Sequence, residues 1–243
     1  MMQVAQGNFK LQRFPIAAGE KLRAWDAADE YLLNDIAAKI ALMDKSPRIL
    51  IINDAFGALS VALSTFDPLS ISDSFLAQSA LRENLILNKL SVDELTILSS
   101  LEAPSGIFDL ILIKAPKTLA FLEDVLIRLQ DNRGAKTKVI VAGMVKNMSP
   151  NTWKVLDKLV GHTVPSKAVK KARLIYAEVD RQRDVTVNPY PSYFTLENTK
   201  YQFTLEDGHV VEVKGNEEIE YDGEIHTAAN LFDALKEGYY GKF

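Results

Sequence analysis

The stretch FDLILIKAPKTLAFLEDVL, residues 108–126, contains the change from a strand pattern to a helix pattern that decides the fold. Its first six residues are apolar except for Asp109, and a short run of this kind is typical of a strand buried in a parallel sheet. From Thr118 to Gln130 the apolar residues recur every three or four positions, which predicts a helix. The stretch therefore predicts a strand, a turn at Lys114–Lys117 and a helix.

The same alternation extends outward on both sides of this unit. Strands are predicted at Arg48–Ile52, Leu69–Ser72, Leu95–Leu98, Phe108–Ile113, Lys138–Gly143 and Ala172–Val179. Helices are predicted from about Lys21 to Met43, and over Ala58–Ser64, Ser74–Lys89, Thr118–Gln130 and Ser149–Leu159. Such a pattern predicts the α/β class, with a mostly parallel sheet, helices on both faces and right-handed crossovers.

The C-terminal part of the chain has a different pattern. Residues 184–199 contain Asn188-Pro189 and Tyr190-Pro191, which predict a connector. Two alternating segments follow, and each turns at an Asp-Gly pair, the strongest short signal for a β-hairpin. A final helix is predicted over Thr227–Glu237. We therefore expect an α/β domain over residues 1–183, a connector over 184–199 and a hairpin-plus-helix extension over 200–243.

The composition excludes several classes of protein. The 243 residues include no cysteine, which excludes disulfides and cysteine-ligated metals. The three histidines form no closely spaced pair, so we expect no metal site. The N-terminus lacks the apolar region of a secretory signal, and no apolar run approaches the roughly 20 residues of a membrane span. We expect a cytoplasmic protein with no membrane partner.

The net charge of −4 conceals an uneven distribution. Residues 200–243 hold ten acidic residues and four lysines, so that the C-terminal extension is strongly acidic. Residues 114–183 hold 15 lysines and arginines against six acidic residues. This basic region is a candidate surface for a polyanion.

The first predicted helix carries side chains with two possible interpretations. Asp26, Asp29 and Glu30 are close enough in sequence to act together as acid and base. Charged residues at helical spacing more often form a solvated face, and we favour that interpretation. We expect Trp25 to lie in the core.

Five segments, taken in chain order, resemble one family of proteins. They are LRAWDAADEYLL (22–33), ILIINDAFGALSVAL (49–63), SDSF (72–75), LIKAPKTLAFLE (112–123) and KKARLI (170–175). Together they resemble the N-terminal half of the ribosomal RNA large subunit methyltransferase G family, which are 23S rRNA guanine-N2 methyltransferases related to small subunit methyltransferase C. The resemblance covers roughly residues 9–203. It implies a class I methyltransferase-like, or Rossmann-like, fold and a second, catalytic half that has no counterpart in this sequence.

The resemblance also places a cofactor loop after the first sheet strand. The loop corresponds to Asn53, Asp54, Ala55, Phe56 and Gly57, and an acidic ribose-binding position corresponds to Asp73. Functional loops of this kind use several glycines so that the backbone approaches the cofactor closely. Only one glycine is present here. We therefore expect a vestigial loop closed by its own side chains, and S-adenosylmethionine only in the family's catalytic half.

The turn after the strand at 108–113 lacks the catalytic residues of the family. There, the family's active half carries Asn-Pro-Pro-aromatic, whose amide oxygen accepts a hydrogen bond from the target amine and whose ring stacks on the flipped base. Lys114 replaces the asparagine, and a lysine has donors but no acceptor. Lys117 replaces the aromatic residue. We expect no catalytic residue in this chain.

Basic side chains near this turn are expected to bind phosphate instead. Lys114 and Lys117 precede a helix N-terminus, which also favours anions. The predicted RNA-binding residues are Lys114, Lys117, Lys146, Lys167, Lys170, Lys171 and Arg173. The expected function is a non-catalytic domain that positions 23S rRNA and supports a catalytic half supplied in cis or in trans. Two alternatives stay open: a stand-alone S-adenosylmethionine-binding methyltransferase, and a protein–protein interaction module.

Overall fold

The structure is a computed structural model of the 243-residue chain. It describes residues 1–17, 19–93, 95–182 and 186–190 in full, and the backbone of four strands between residues 200 and 227. The chain divides into two units, Met1–Asn188 and Pro189–Phe243, so the division lies within the predicted connector. The two units are described separately below.

The first unit contains nine strands and five α-helices among its described residues. In chain order they are β1 (Met2–Val4), β2 (Gly7–Phe9), α1 (Ala27–Ala41), β3 (Ile49–Ile52), α2 (Ala58–Ala62), β4 (Leu69–Ile71), α3 (Phe75–Leu87), β5 (Ile97–Leu98), β6 (Phe108–Lys114), α4 (Leu119–Arg128), β7 (Arg133–Met144), α5 (Pro150–Leu159), β8 (Thr163–Pro165) and β9 (Ala172–Glu178). Short 3-10 turns lie at Ser64–Phe66, Gln130–Asn132 and Val145–Asn147.

Seven of these strands form one sheet in the order β5-β4-β3-β6-β7-β9-β8. The pairs from β5 to β7 are parallel, whereas β9 runs antiparallel to both β7 and β8. The predicted α/β class with a mostly parallel sheet is therefore confirmed. The strand order reverses at β3, and the carboxyl end of a sheet at such a reversal is where ligands bind in open α/β folds.

Alternate strand residues face two separate hydrophobic cores, which is why the central strands are apolar throughout. One face packs against α4 and α5 through Leu50, Ile52, Ile111, Ile113, Val139 and Val141. The other packs against α1 and α2 through Ile49, Ile51, Leu110, Leu112, Ile140 and Ala142. Each such side chain is almost completely buried, and burial of one stabilises the fold by about 1.5–3 kcal/mol.

Helix α1 begins six residues later than its apolar pattern predicts. Asp26 is the N-cap, and its side chain accepts hydrogen bonds from the amides of Ala28 and Asp29. The Asp29 carboxylate accepts one in return from the amide of Asp26 at 2.8 Å, which completes a capping box. The predicted start at Lys21 was wrong because Leu22 continues the apolar spacing but lies exposed outside the helix.

Several other predicted boundaries are confirmed or extended. Ser74, where the third helix was predicted to begin, caps α3 and accepts a hydrogen bond from the amide of Ala77 at 3.2 Å. Pro150 occupies the first turn of α5. Strand β7 begins at Arg133 rather than Lys138. The β1–β2 hairpin and the edge strand β8 were not predicted, because none of these three-residue strands is a run of apolar residues.

The second unit contains two hairpins. Strand β10 (Lys200–Thr204) pairs antiparallel with β11 (Val210–Lys214), and β12 (Glu218–Tyr221) pairs antiparallel with β13 (Glu224–Thr227). The pairing of these strands confirms both predicted hairpins. The helix predicted over Thr227–Glu237 extends beyond the described residues. Among the helices that the structure describes, none has the length and apolar content needed to cross a bilayer.

Candidate functional site

The loops that follow β3, β4 and β6 lie together at the carboxyl edge of the sheet. Strand β3 pairs with β4 on one side and with β6 on the other, which brings the residues after Ile52, Ile71 and Lys114 to the same edge. The loop after β3 is the one that corresponds to the predicted cofactor loop. Asp73, the predicted ribose-binding position, is exposed just beyond β4.

The loop after β3 is closed by hydrogen bonds to its own neighbourhood. Asn53 has a left-handed backbone, with φ of 63°, and its side-chain amide donates to the carbonyl of Lys114 at 3.0 Å. The amide of Asn84 donates to the carbonyl of Phe56 at 2.8 Å. These contacts hold the loop at both of its ends.

Asp54 points into the protein. Its Oδ2 accepts hydrogen bonds from the amides of Leu59 and Ser60 and from the hydroxyl of Ser60, at 2.9–3.0 Å. The carboxylate therefore caps α2 from within the loop. Burial raises the pKa of Asp54, whereas the donors from Ser60 and Leu59 and the charge of Lys114 oppose that rise.

Gly57 is the one position in this loop that requires a glycine. Its φ is +78°, a conformation that side chains of L-residues rarely adopt. A Cβ at this position would lie 2.7 Å from Cδ1 and 2.9 Å from Cα of Leu81. The surviving glycine thus lets α2 pack closely on α3.

Lys114 turns inward rather than toward solvent. Its ammonium lies 2.6 Å from Oδ1 of Asp29 and 2.9 Å from Oδ1 of Asp26, and its side chain is only 13% exposed. The predicted phosphate contact by Lys114 was wrong in this respect, because two carboxylates already neutralise the cation. The interpretation of Asp29 as part of a solvated helix face was also wrong, since that side chain is 7% exposed.

The pKa values within this cluster follow from burial and from the single cation. Burial raises the pKa of Asp29 to about 6, Asp26 and Asp54 add to the rise, and Lys114 opposes it. Burial also acts to raise the pKa of Asp26, but Lys114 and two backbone amides outweigh it, so the net shift is downward. Burial acts to lower the pKa of Lys114, and the two carboxylates outweigh that effect. Lys114 and Asp26 are therefore both charged at neutral pH, and Asp29, whose pKa is raised, is the carboxylate of this cluster that protonates first as the pH falls.

A small cavity of about 160 Å³ lies beside this cluster, lined by residues that include Trp25, Asp54 and Phe56. Pockets for ligands the size of a nucleotide cofactor span roughly 300–1,000 Å³. The ring of Phe56 and the Cβ of Ala55 occupy the loop where a cofactor needs bare backbone. By these criteria the residues do not fit S-adenosylmethionine.

Besides the inward-turned Lys114, six predicted RNA-binding residues lie along the carboxyl edge. Strand β9 starts there, because its antiparallel register pairs Ala172 with Met144 at the end of β7. The six are Lys117, Lys146, Lys167, Lys170, Lys171 and Arg173; the five lysines are exposed, and Arg173 is half-buried. Lys170 pairs with Glu30 at 3.2 Å, and no carboxylate of the described residues pairs with Lys117, Lys146, Lys167 or Lys171.

Lys170 and Lys171 form a tight turn with an unusual backbone. Their φ values are 49° and 64°, and Val169 and Ala172 on either side exchange two backbone hydrogen bonds of 2.8–2.9 Å. Positive φ at both central residues is characteristic of a type I′ turn, which strongly favours Asn-Gly. This turn holds two lysines instead, despite a penalty of roughly 1–2 kcal/mol for each left-handed non-glycine residue.

Sequence reasoning missed the residues that surround the cavity. Arg13 stacks over the ring of Phe56 with its guanidinium carbon 4.8 Å from the ring centroid, and Arg23 stacks over Trp25 at 5.2 Å. Trp25, predicted to be in the core, is half-buried at the cavity wall. The Arg13–Phe56 contact joins segments far apart in sequence, so no local pattern indicates it. Within the described residues, no group of three or more potential metal ligands comes together.

The strand order, with the loop after β3 at the point where that order reverses, defines a class I methyltransferase-like domain. The structure aligns with the T. thermophilus 16S rRNA N2 G1207 methyltransferase (RsmC) in complex with AdoMet and guanosine, with a TM-score of 0.51 and 15% identity. The alignment covers 95% of this chain and 56% of that one. At this level of identity the match shows the fold.

The family is shown by sequence: residues 1–181 match the family model of the RLMG N-terminal domain, and the chain belongs to that family. Over 193 residues it is 40% identical to ribosomal RNA large subunit methyltransferase G of Streptomyces griseus. Over 188 residues it is 44% identical to the protein of the same name from Pseudomonas syringae pv. syringae. These matches cover 79% and 77% of this chain but 50% of each relative, so the chain spans about half the length of the curated relatives it matches.

Proposed function

We propose that this chain is a non-catalytic domain that binds ribosomal RNA along the carboxyl edge of its sheet. The relatives it matches are named as methyltransferases of large-subunit rRNA, and 23S rRNA is the proposed partner. Those relatives are about twice as long as the matched region, so the catalytic half would be supplied by further chain or by another protein. A role on ribosomal RNA implies a cytoplasmic location.

The observation that carries this proposal is the turn at Lys170–Lys171. A turn that favours Asn-Gly keeps two exposed lysines here, and strained backbone that persists in a fold is a sign of function. Lys167 precedes this turn, and Lys146 and Lys117 follow the adjacent strand ends, so the edge presents a row of cations. Contacts of this kind bind the phosphate backbone with little preference for sequence.

The ion pair of Lys114 supports a non-catalytic role. A group that orients a target amine must accept a hydrogen bond from it, and the Lys114 ammonium has no lone pair with which to accept one. Its donors are directed at Asp26 and Asp29, whose carboxylates are held by the N-terminus of α1. The residues at this turn therefore stabilise the fold of the edge that binds RNA.

A salt titration tests the proposed binding. We expect labelled fragments of 23S rRNA to bind with a log–log slope of affinity against salt of roughly −3, because about four phosphates would be contacted at −0.7 to −0.9 each. Fluorescence anisotropy between 50 and 200 mM salt would measure this slope. The absence of binding at the lowest salt would refute the proposal, and would favour the interpretation as a protein–protein interaction module.

Calorimetry with S-adenosylmethionine separates this proposal from the stand-alone enzyme. We expect no heat of binding, because the loop after β3 is closed and the adjoining cavity is too small. Micromolar binding of the cofactor would instead support a chain that is itself a methyltransferase.

A further inference from the structure

We propose that the exposed face of α3 is the surface through which two copies of this chain associate, with their two α3 helices antiparallel. The inference does not depend on the proposed RNA binding, because none of the lysines assigned to RNA lies on α3. It is carried by three features of this face: its exposed apolar side chains, its charged side chains without partners, and the symmetry of their arrangement about the middle of the helix.

The apolar side chains of this face form two pairs, one at each end of α3. Phe75 and Leu76, in the first turn, are 76% and 52% exposed. Ile86 and Leu87, in the last turn, are 59% and 38% exposed. The opposite face of the helix is buried in the core. The outer face of a surface helix normally carries polar side chains, so large apolar residues at both of its ends indicate a surface that another molecule covers.

Between the two apolar pairs lie exposed side chains of opposite charge. Arg82 and Glu83 are adjacent on the helix and so do not face each other, and neither has an opposite charge three or four positions away. Asp73 precedes the helix and Lys89 follows it, and both are also exposed. Among the described residues, no ion pair includes any of these four side chains. Four charges of alternating sign therefore lie along this face without a partner in their own chain.

An antiparallel pair of α3 helices brings the apolar side chains together. If a two-fold axis passes at the level of Leu81, each residue lies opposite one that is equally far from that level on the other helix, to within about one position. Phe75 then packs against Ile86 of the partner subunit, and Leu76 packs against Leu87 of the partner subunit. Each of these contacts occurs twice, once on either side of the axis.

The same axis places the charges opposite charges of the other sign. Arg82 comes within reach of Glu83 of the partner subunit, and Asp73 lies at the level of Lys89 of the partner subunit. Ser79, close to the axis, is small enough to let the two helices approach. Complementarity of a surface to itself is the requirement for an interface between identical subunits, whereas a surface for a different protein has no need of it. The occupant of this face is therefore a second copy of the chain.

Sedimentation equilibrium of the full 243-residue chain between about 1 and 100 µM tests the association. We expect a reversible dimer with twice the 27.1 kDa mass of one chain. Its dissociation constant should be on the order of 10 µM, because one helix face is smaller than the roughly 800 Å² per partner of a standard interface.

Charge reversal tests the pairing of Arg82 with Glu83 across the axis. Arg82→Glu alone and Glu83→Arg alone each bring like charges together, and each should weaken dimerisation by roughly tenfold or more. The double variant, Arg82→Glu with Glu83→Arg, exchanges the two charges and should recover an affinity within about threefold of wild type. Lys154→Glu, at an exposed position of α5, changes the net charge as Arg82→Glu does and should leave dimerisation unchanged.

Three outcomes would overturn the inference. A chain that stays monomeric over the whole concentration range would show that no second copy covers α3. A dimer that withstands both single reversals would assemble through another surface. Loss of the dimer in the single variants without recovery in the double variant would show that the two charges do not meet each other across an axis.

Discussion

Lys114, at the end of β6, contributes to the fold through an ion pair. Its ammonium joins the end of β6 to the capping box of α1 through two short contacts. The sequence predicts the loss of catalysis from the donor-only chemistry of lysine. It does not predict the ion pair, because Asp26 and Asp29 lie more than 80 residues away and look like the solvated start of a helix.

Replacing Lys114 by methionine should destabilise the fold in a pH-dependent manner. Removing one partner of a buried ion pair costs about 3 kcal/mol or more, because a carboxylate is left buried without its counter-charge. Without the cation that opposes it, the folded-state pKa of Asp29 should rise above its present value of about 6, while the unfolded value stays near 3.8. The folded state then binds more protons between these values, so the free energy of unfolding falls as pH rises through that window.

Urea unfolding of the Lys114→Met variant at pH 5 and pH 8 would measure this effect. The deficit relative to wild type should be largest at pH 8 and smaller at pH 5. Lys117→Met is the matched control, since this exposed lysine of the same turn should change stability by less than about 0.5 kcal/mol at either pH. A deficit of equal size at both pH values would show that Asp29 does not titrate as described.

Gly57 allows a second test of local packing. Gly57→Ala should cost roughly 2–4 kcal/mol, because it combines an unfavourable φ with overpacking against Leu81. Gly19 has the same φ of +78°, but no atom lies within 4 Å of the position that a Cβ would take, so Gly19→Ala should cost only about 1 kcal/mol. Thermal unfolding of both variants measures the difference; similar losses would mean that α2 and α3 are not in close contact.

At the scale of single elements, the strands and helices with a clear apolar pattern follow from the sequence, and the others do not. The central strands are apolar on both faces, so β3 and β6 were predicted to within about a residue. The start of α1 was predicted too early. Leu22 continues the apolar spacing, but the reciprocal cap contacts of Asp26 and Asp29 begin the helix at Ala27. Strand β8 and the type I′ turn after it depend on pairing with β9, which no local pattern records.

The turn at Lys170–Lys171 should show a conflict between stability and function. Replacing Lys170 by asparagine and Lys171 by glycine should raise the free energy of unfolding by about 1 kcal/mol, because these residues adopt positive φ readily. The same change should weaken RNA binding and reduce the magnitude of the log–log slope of affinity against salt by roughly 1.5. Denaturant unfolding would measure the free energy of unfolding, and fluorescence anisotropy on the same preparation would measure the RNA affinity and its salt dependence.

A control for this turn keeps its charge. Lys170→Arg with Lys171→Arg retains both cations and the strained backbone, so stability and RNA affinity should stay close to wild type. If the asparagine–glycine variant bound RNA as tightly as wild type, the lysines would have no role in binding and the strain would remain without a functional explanation.

At the scale of the whole molecule, the sequence predicts a basic region but not its geometry. In the structure, the lysines of this region lie at two opposite edges of the sheet. The carboxyl edge has Lys117, Lys146 and the Lys170–Lys171 turn. The opposite edge has Lys136 and Lys138, near the start of β7. Residues close in sequence are thus separated, and residues 24 to 54 positions apart are brought together. We assign RNA binding to the carboxyl edge alone.

Charge reversal at the two edges tests that assignment most directly. Binding of a 23S rRNA fragment would be measured by anisotropy for wild type, for Lys117→Glu with Lys146→Glu, and for Lys136→Glu with Lys138→Glu. We predict that the carboxyl-edge variant loses roughly tenfold or more in affinity at 100 mM salt, while the opposite-edge variant, with the same change in net charge, changes by about twofold or less. Equal losses in the two variants, or undiminished binding by the carboxyl-edge variant, would contradict the assignment.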